Sequence, residues 1–538
     1  MKYVTVDEMI AIEKEANISG LTYEMMMNNA GTGLAEVISK ELDHFKDGGI
    51  LALVGSGNNG GDTLVALTYL QRRDWQTTAY LVRERNKPDR LVELYLEAGG
   101  KLVELNADKN FTLLDKMLTE NKVLVDGVLG TGIQLPLKPG LARLFQHIKN
   151  ELALLKLPPY ILAVDCPSGV DSDSGETSPD CIPADMTVTM AAIKQGLLKF
   201  PAHNLIGELK LVSIGLPGDG EVLDAWKSVK RFVPDEAWLS RSLPERPLNS
   251  HKGTYGTALI VAGSVNYTGA AYLAGMAAYR VGTGLVTMAI PSPLHTALAG
   301  IFPEAIWLPL PHNSGFIASD AVEIVLDNVS KVTGMLIGPG FGINQSTSGF
   351  ISGILKHGKA RIENAGDENP NFELPPSVID ADGLKLIAEL KHWWKYLPPR
   401  TILTPHPGEM AVLTGLSVKE IQSNRLEIAS EYSKKWGQIL VLKGAFTVIA
   451  HPDEIVAVIP IATPALSKAG TGDVLAGMIV GFLAQGLQPF KSAVLGSWIH
   501  AKSGVLTAEE HGNTASVIAG DLMDAIPEII STITGLKK

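Results

Sequence analysis

Short, wholly apolar segments recur along the first half of the chain, and the stretches between them follow a helical period. Strands are predicted for six of these segments: Ile50–Val54, Thr78–Val82, Lys122–Asp126, Tyr160–Asp165, Met186–Met190 and Leu209–Ile214. Several are apolar throughout rather than alternating, which is typical of parallel strands covered on both faces. Thr63–Arg72 is one of the helical stretches between them. This alternation of strand and helix predicts an α/β fold with a doubly wound sheet.

A second series of strand segments of the same character begins after about residue 240. Its predicted strands are Thr257–Val261, Leu285–Ile290, Met335–Ile337, Val378–Asp380, Ile402–Thr404 and Ile439–Leu442. Proline and glycine, which break regular structure, are frequent in Gly215–Asn249 between the two series. We therefore predict an N-terminal domain over residues 1–215, a linker over 216–240 and a C-terminal domain over 241–538. Gly366–Pro376 is predicted to be an exposed loop or a small insertion.

Composition narrows the class of protein. Apolar residues make up 46% of the chain, which is enough for large cores and excludes wholesale disorder. The net charge of -11 argues against nucleic acid as the main partner, although backbone amides can still bind a small anion. Cys166 and Cys181 form neither a metal motif nor a disulfide framework. Neither a signal peptide nor a membrane span is recognisable, so we expect a soluble, cytoplasmic protein.

A glycine-rich segment, Gly55–Asp62, directly follows the first predicted strand and precedes a helical pattern. Glycine costs about 1 kcal/mol relative to alanine inside a helix, so four glycines in seven positions predict unusual torsions or a close backbone approach. A strand, a glycine turn and a helix N-terminus together can bind an anion. A tight turn without a ligand is the alternative. The paired amides of Asn58 and Asn59 favour a ligand site.

Three further polar groups follow strands in the same half of the chain. Asp126 follows Lys122–Val125, Asp165 opens the segment that contains Ser168, and Lys194 follows the fifth strand. Ligands of open parallel sheets collect at the carboxyl ends of the strands, so these groups are expected to converge. Each acid could instead be a helix cap. Four such segments around one sheet favour a site.

With these motifs, residues 1–215 resemble the YjeF N-terminal family, the NAD(P)H-hydrate epimerases. The resemblance rests on the Asn-Asn-Gly-Gly-Asp segment Asn58–Asp62 and on the upstream segment Met27–Gly31. Asn28 stands where the family has glutamate, and Thr63 stands where it has glycine. The resemblance implies a Rossmann-like doubly wound sheet. It also implies a substrate site made of Asn58, Asn59, Gly60, Gly61, Asp62, Gly130, Thr131, Gly132, Ile133, Gln134, Leu135, Pro136 and Asp165.

The same resemblance implies a potassium ion held by Asn59, Asp126 and Ser168, since a hard cation prefers oxygen ligands. In the implied substrate, a hydroxyl is bonded to a carbon next to the ring nitrogen, and that nitrogen can help the hydroxyl leave and return. Inverting this centre requires groups that move protons. Asp165 and Lys194 are predicted to be the catalytic acid–base pair.

The second candidate site is Gly470–Asp473, just before the apolar stretch Val474–Leu483. Its glycines expose backbone amides at a helix N-terminus, where an aspartate gains about 0.3–1 kcal/mol from the helix dipole. Simple capping therefore explains Asp473. In a kinase, the same geometry would place an anion hole and a general base beside a hydroxyl.

The Gly-Thr-Gly-Asp motif resembles the ribokinase-like superfamily. Five further segments make residues 240–535 similar to the YjeF C-terminal family, the NAD(P)H-hydrate dehydratases: Ala262–Ser264, Gly338–Gly342, Thr404–Glu409, Lys443–Thr447 and Ala515–Asp521. This resemblance implies a hydrate site of Ala270, Gly340, His406 and Asp473, with Asp473 as the catalytic base. It implies a nucleotide site of Lys443, Gly444, Ala445, Phe446, Thr447 and Gly472, and Mg²⁺ with ADP or ATP. His406 could instead cap a turn.

The two resemblances together predict a bifunctional enzyme. It would interconvert the R and S forms of NAD(P)H hydrate and dehydrate the S form at the expense of ADP or ATP. Similar fusions favour ADP, and a homo-oligomer is expected. One alternative is a C-terminal kinase for a vitamin precursor. The other is an N-terminal module that binds without catalysis.

Overall fold

The computed structural model describes residues 1–85, 88–363 and 374–535. It divides into two compact units, Met1–Arg231 and Phe232–Lys538, and the division falls within the predicted linker range. The predicted loop Gly366–Pro376 lies outside the described residues up to residue 373.

The first unit is built on a parallel sheet of seven strands among its described residues. From edge to edge the strands are Lys101–Glu104, Thr77–Leu81, Ile50–Val54, Val123–Gly127, Tyr160–Val164, Met186–Met190 and Glu208–Val212. Numbered along the chain, these strands have the Rossmann order 3-2-1-4-5-6 with a seventh added. The predicted doubly wound sheet is therefore confirmed. Lys101–Glu104, which the pattern missed, is a partly exposed edge strand.

Helices cover both faces of this sheet. The α-helices of the first unit are Val6–Ile18, Tyr23–Glu41, Asn58–Gln71, Arg90–Glu97, Thr112–Glu120, Pro139–Leu154 and Asp224–Ser228. In the strand Ile50–Val54, Ala52 belongs to the core on one face and Leu53 to the core on the other, which is why the strand is apolar throughout. A separate parallel pair joins Tyr3–Val4 to Ile193–Lys194.

The second unit contains the larger sheet. Its described strands, in spatial order, are Arg231–Phe232, Val456–Val458, Val448–Ala450, Ile439–Leu442, Ile402–Leu403, Ser377–Ile379, Gly334–Ile337, Thr257–Val261, Leu285–Pro291 and Ile306–Leu310. The strands from Ile439–Leu442 to Ile306–Leu310 are parallel. Val448–Ala450 and Val456–Val458 add an antiparallel extension that the pattern missed, because three-residue strands carry too little periodicity. His312–Asn313 and Phe316–Ile317 form a separate antiparallel pair.

The second unit contains many helices, one of which, Thr471–Ala484, is apolar over most of its length. They are Glu236–Ser242, Thr268–Arg280, Ser292–Ala299, Ala321–Asp327, Gln345–Glu363, Asp382–Ala388, Pro407–Thr414, Val418–Ser423, Arg425–Trp436, Thr471–Ala484, Pro489–His511 and Ala519–Thr534. From Val474 onward, every residue of Thr471–Ala484 is buried. Even so, no helix in the described parts of the chain is long and apolar enough to cross a membrane.

Glycine allows this apolar helix to lie directly against Thr268–Arg280. A Cβ atom added at Gly477 would lie 2.2 Å from the Ala274 carbonyl oxygen, and one added at Gly481 would lie 3.0 Å from the same group of Ala278. Contacts this short exclude a side chain. The two helices are therefore held at a separation that only glycine permits.

We expect Gly477→Ala to destabilise the second unit by about 1–3 kcal/mol, because the added methyl group overpacks the helix contact. Gly520→Ala is the matched control. Gly520 is also helical, but an added Cβ meets no atom within 4 Å, so alanine should be neutral or stabilising by up to ~1 kcal/mol. Urea denaturation followed by tryptophan fluorescence measures both variants. Equal stability of the two variants would contradict the packing argument.

Candidate active sites

The Asn-Asn-Gly-Gly-Asp segment lies at the point where the strand order of the first sheet reverses. The helix begins at Asn58 with Gly57 as its N-cap, so the segment forms the first helical turn. The prediction that the helix starts at Thr63 was wrong by one turn and a half. The first amides of a helix have no partners within it. This end of the helix can therefore donate hydrogen bonds to a ligand.

The glycines of the segment serve close packing. A Cβ added at Gly55 would lie 2.0 Å from the Val128 carbonyl oxygen, and one added at Gly60 would lie 2.0 Å from the Gly55 carbonyl oxygen. A Cβ added at Gly61 would lie 2.6 Å from the Met27 sulfur. None of these three glycines has a positive φ. Of the two reasons expected for glycine here, close backbone approach is therefore the one that holds.

Thr63, which departs from the family pattern, fits its position. Its hydroxyl donates a hydrogen bond to the Asn59 carbonyl oxygen at 2.8 Å, and the side chain is buried. A Cβ at Gly127 would lie 1.9 Å from the Thr63 hydroxyl oxygen. Glycine at position 127 thus leaves the space that threonine fills.

Asn59, Asp126 and Ser168 belong to one cluster of hydrogen bonds. The side-chain amide of Asn59 donates to the Leu129 carbonyl oxygen at 2.9 Å, and the backbone amide of Leu129 donates to the Ser168 hydroxyl at 2.8 Å. Ser168 in turn donates to Asp126, from its hydroxyl at 2.6 Å and from its backbone amide at 2.8 Å. Asp126 is only 1% exposed, and this burial raises its pKa while the bonds from Ser168 lower it. Among the described residues, Asp126 has no cationic partner.

Asp165 and Lys194 are brought together as a buried ion pair. The Lys194 ammonium donates to the Asp165 carboxylate, and also to the Met190 carbonyl oxygen at 2.8 Å. The same carboxylate oxygen accepts from the Thr189 hydroxyl and the Met190 amide, both at 3.0 Å. Asp165 has φ 63, a left-handed conformation that is uncommon for non-glycine residues but that aspartate adopts more readily than most.

The pKa values of two more carboxyl groups, those of Asp62 and Glu13, are affected by the charges of this ion pair. Burial, together with the charges of Asp165 and Glu13, raises the pKa of Asp62 well above its usual value. Burial also raises the pKa of Glu13, where Lys194 acts in the opposite direction. Glu13 lies on the helix Val6–Ile18, far from every motif, so sequence reasoning missed it. The site thus combines one ammonium with three carboxyl groups.

The predicted substrate loop Gly130–Pro136 lies close to Asn59 at its first residue. A Cβ at Gly130 would lie 3.4 Å from the Asn59 side chain. Farther along, Ile133 and Leu135 pack against the apolar core. No hydrogen bond among the described residues links Thr131–Pro136 to Asp165 or Lys194.

The second site lies where three neighbouring strands of the second sheet end. Asp380, Thr404 and Lys443 each follow one of these strands. The Asp380 carboxylate accepts from the Lys443 ammonium at 2.8 Å and from the Thr404 hydroxyl at 2.7 Å. Lys443 also lies 3.7 Å from the Glu409 carboxylate. Sequence reasoning placed Lys443 in the site but missed Asp380.

Asp473 lies in the first turn of the helix Thr471–Ala484. Gly470 caps this helix with φ 88, which glycine adopts without strain. Burial, followed by the charge of Asp380, raises the pKa of Asp473 to about 7. A Cβ at Gly472 would lie 3.6 Å from the Lys443 nitrogen. A carboxyl group that titrates near neutrality therefore lies near an ammonium and the open amides of a helix.

His500 is hydrogen-bonded to the first turn of the helix Thr471–Ala484. Its Nε2 lies 2.8 Å from the Thr471 carbonyl oxygen, which can only accept, so Nε2 carries the proton. Burial lowers the pKa of His500 to about 4, so the ring is neutral at physiological pH. His500 belongs to no recognisable motif, so the sequence did not predict it as a site residue.

Of the predicted hydrate residues, His406 follows the strand Ile402–Leu403, Gly340 follows the strand Gly334–Ile337, and Ala270 lies on the helix Thr268–Arg280. His406 caps the helix Pro407–Thr414, as its Nδ1 accepts from the Gly408 and Glu409 amides. Its side chain is nevertheless 52% exposed. Gly340, with φ 65, approaches Ala270 so closely that a Cβ would lie 2.8 Å from the alanine methyl group.

The predicted nucleotide segment Lys443–Thr447 forms a tight turn after the strand Ile439–Leu442. The Thr447 hydroxyl donates to the Gly444 carbonyl oxygen at 2.9 Å. Gly444 and Phe446 have φ values of 141 and 52, and Ala445 is exposed. Of this segment, Lys443 is the residue that the described contacts connect to Gly472 and Asp380.

Comparison with known proteins finds a family match in each of the two units. Residues 23–196 match the family of YjeF-related protein N-termini, and residues 258–528 match the NAD(P)H-hydrate dehydratase family. The bifunctional NAD(P)H-hydrate repair enzyme Nnr of Moorella thermoacetica is 35% identical over 99% of this chain and 97% of its own. Nnr of Escherichia coli K12 is 32% identical over 96% of this chain and 92% of its own.

Among solved structures, the ADP/ATP-dependent NAD(P)H-hydrate dehydratase from Bacillus subtilis, co-crystallised with ATP and Mg²⁺, is 31% identical. The match covers 56% of this chain and 99% of that one, with a TM-score of 0.47. The similarity to the two Nnr proteins, by contrast, extends over nearly the whole chain and includes both family matches. The chain belongs to the family of bifunctional NAD(P)H-hydrate repair enzymes.

Proposed function

We propose that the first unit interconverts the R and S forms of NAD(P)H hydrate and that the second unit dehydrates the S form with ADP or ATP. The main support for this proposal is that one chain contains two acid–base sites. Each lies at the carboxyl ends of parallel strands, where open α/β sheets bind ligands. Each contains a buried lysine–aspartate pair beside an acid of raised pKa.

In the first unit, the open backbone amides of Asn58, Asn59 and Gly60 bind the phosphates and the ring lies toward Asp165. Burial raises the pKa of Asp62, which favours its protonated form, and that form can give a proton to the hydroxyl that leaves as water. The ring nitrogen stabilises the resulting cation. Water then adds to the opposite face, and the Asp165–Lys194 pair takes up its proton. The proton taken up by the pair then returns to Asp62, so the hydroxyl and the proton lost in the first step are both regained and only the configuration changes.

Potassium fits the cluster of Asn59, Asp126 and Ser168. All three offer oxygen atoms, the ligands that a hard cation prefers. A carboxylate buried without a cationic partner is costly, and a bound cation would offset the charge of Asp126. The bound ion would hold together the loops that follow two neighbouring strands, next to the Asn58–Asp62 turn.

In the second unit, Asp473 takes the proton of the substrate hydroxyl as that oxygen attacks the terminal phosphoryl group of the nucleotide. The amides at the start of Thr471–Ala484 and the Lys443 ammonium stabilise the negative charge that develops. The substrate phosphate then leaves, and loss of a proton from the adjacent ring carbon restores the dihydropyridine. Mg²⁺ would bridge the nucleotide phosphates and supply further charge neutralisation.

Several features stay predictions: the roles of the site residues, the potassium ion, the preference for ADP, the homo-oligomeric state, the cytoplasmic location and the domain limits at residues 215 and 240.

An absorbance assay at about 340 nm, with both epimers of NADH hydrate, ADP, Mg²⁺ and K⁺, tests the proposed function. Wild-type protein should restore the full absorbance of NADH. Asp165→Ala should restore only the share due to the S form, because the second unit still works. Asp473→Asn should restore none, since the base is lost.

Asp224→Ala is the matched control, because the Asp224 side chain is 93% exposed and far from both motifs in sequence. It should behave as wild type. No recovery by wild-type protein with either nucleotide would contradict the dehydratase. Full recovery by Asp165→Ala, at the wild-type rate, would contradict the assigned pair.

Potassium dependence tests the oxygen cluster. The epimerisation rate should rise to saturation with K⁺, with tetramethylammonium keeping the ionic strength constant. Asp126→Asn should raise the K⁺ concentration for half-activation roughly 10-fold or more, because it removes the ligand charge. K⁺ should also raise the melting temperature of wild type but not of Asp126→Asn. Equal rates and melting temperatures in both salts would contradict the site.

The pH dependence of dehydration follows from Asp473. The base acts only when deprotonated, so kcat/KM for the S form should rise with pH and reach half its maximum near pH 7. Without the raised pKa, the rise would occur near the ordinary value of an aspartate, about 4. Initial rates at low hydrate concentration between about pH 5 and 9 measure this limb. A constant kcat/KM across this range would contradict the assignment of the base.

A further inference from the structure

The carboxylate of Asp380 is one of the most deeply buried charges in the second unit. It is 1% exposed and lies directly after the strand Ser377–Ile379. Its described partners are the Lys443 ammonium at 2.8 Å and the Thr404 hydroxyl at 2.7 Å, which follow the next two strands of the sheet. Asp380 therefore ties together the ends of three adjacent strands.

Lys443 extends from this contact toward the helix end. Its nitrogen lies 3.7 Å from the Glu409 carboxylate, and a Cβ at Gly472 would lie 3.6 Å from it. Burial alone would lower the pKa of Lys443, but Asp380 and Glu409 outweigh that effect and raise it. The ammonium is thus charged, held by two carboxylates, and next to the Gly-Thr-Gly-Asp turn.

A buried ion pair is weak evidence for stability, because desolvation of both ions offsets most of their attraction. A purely structural contact among these strand ends would be made equally well by apolar side chains. The pair instead lies where the substrate hydroxyl, the nucleotide and Asp473 are proposed to meet. A long lysine side chain requires such a partner to hold its charge in one place.

We propose that Asp380 is a positioning residue for phosphoryl transfer, which acts by holding the Lys443 ammonium beside Gly472, where the transferred group is stabilised. This inference rests on the proposed dehydratase function. Thr404 orients the Asp380 carboxylate, and Glu409 restrains the ammonium from the other side. Asp380 itself does not contact the reacting atoms.

The charge of Asp380 has a second effect, on the base. The groups that act on the pKa of Asp473 are Asp380, Asp382 and Glu409, which raise it, and Lys443, which lowers it. The neighbouring His500 is neutral at physiological pH. Removal of the negative charge at position 380 therefore lowers the pKa of Asp473, and the acid limb of the pH profile moves to lower pH.

Asp380→Asn in the full chain tests the inference, with the S form of NADH hydrate, ADP and Mg²⁺. We expect kcat to fall roughly 10²-fold, as for a displaced catalytic group, while KM for the hydrate changes little. The acid limb should move to lower pH. A merely structural role would lower the melting temperature but leave kcat, measured on folded enzyme above the acid limb, close to that of wild type. A kcat within about threefold of wild type, with the limb unmoved, would overturn the proposal.

A double-mutant cycle with Lys443→Met tests whether Asp380 acts through the lysine. Asp380→Asn should have little further effect on kcat once Lys443 is replaced. Effects that multiply would overturn the proposal. The wild-type chain is assayed in parallel. Failure of the wild type contradicts the dehydratase itself, whereas failure of these variants to differ from it contradicts only the role of Asp380.

Two control variants complete the design. Asp524→Asn removes an exposed carboxylate of the same unit, 79% accessible, and should leave both kcat and the pH profile unchanged. Thr404→Val keeps the Asp380 charge but removes its hydroxyl partner, so kcat should fall modestly while the acid limb stays in place. If Asp380→Asn does not fold, Thr404→Val decides, and an unchanged kcat then overturns the proposal.

Discussion

Parallel strands that are buried on both faces leave polar side chains one main place, the carboxyl edge of the sheet. Both units obey this constraint. In the first sheet, Ala52 and Leu53 pack into cores on opposite faces, and the polar segment Gly55–Asp62 begins directly after the strand Ile50–Val54. In the second sheet, Asp380 and Lys443 likewise follow fully buried strands. The position of both sites follows from the burial of the strands.

The two sites use the same electrostatic arrangement on different sheets. Lys194 is paired with Asp165 in one unit, and Lys443 is paired with Asp380 in the other. Burial in each case leaves a second acid, Asp62 or Asp473, with a raised pKa. An ammonium held near a carboxyl group of raised pKa supplies a proton donor, a proton acceptor and a fixed positive charge. Epimerisation and phosphoryl transfer both need these groups, although the reactions differ.

Close approach of the backbone positions the helices that complete the sites. Gly60 allows the Asn58–Asp62 turn to lie against the strand end, and Gly477 allows the apolar helix of the second unit to lie against its neighbour. Alanine at either position would require the backbone to move. The helix N-termini can therefore approach the polar strand ends because these positions lack a side chain.

The sequence by itself determined most of the parallel strands, the two glycine motifs and most of the charged residues near them, because apolar runs and local turns are encoded over a few residues. It did not reveal Glu13, Asp380 or His500, and it began the helix at Thr63 instead of Asn58. His500 bonds to Thr471, 29 residues away, and Asp380 bonds to Lys443, 63 residues away. Such partners meet only when strands and helices pack. Burial, which depends on that packing, then decides which carboxyl groups keep a proton.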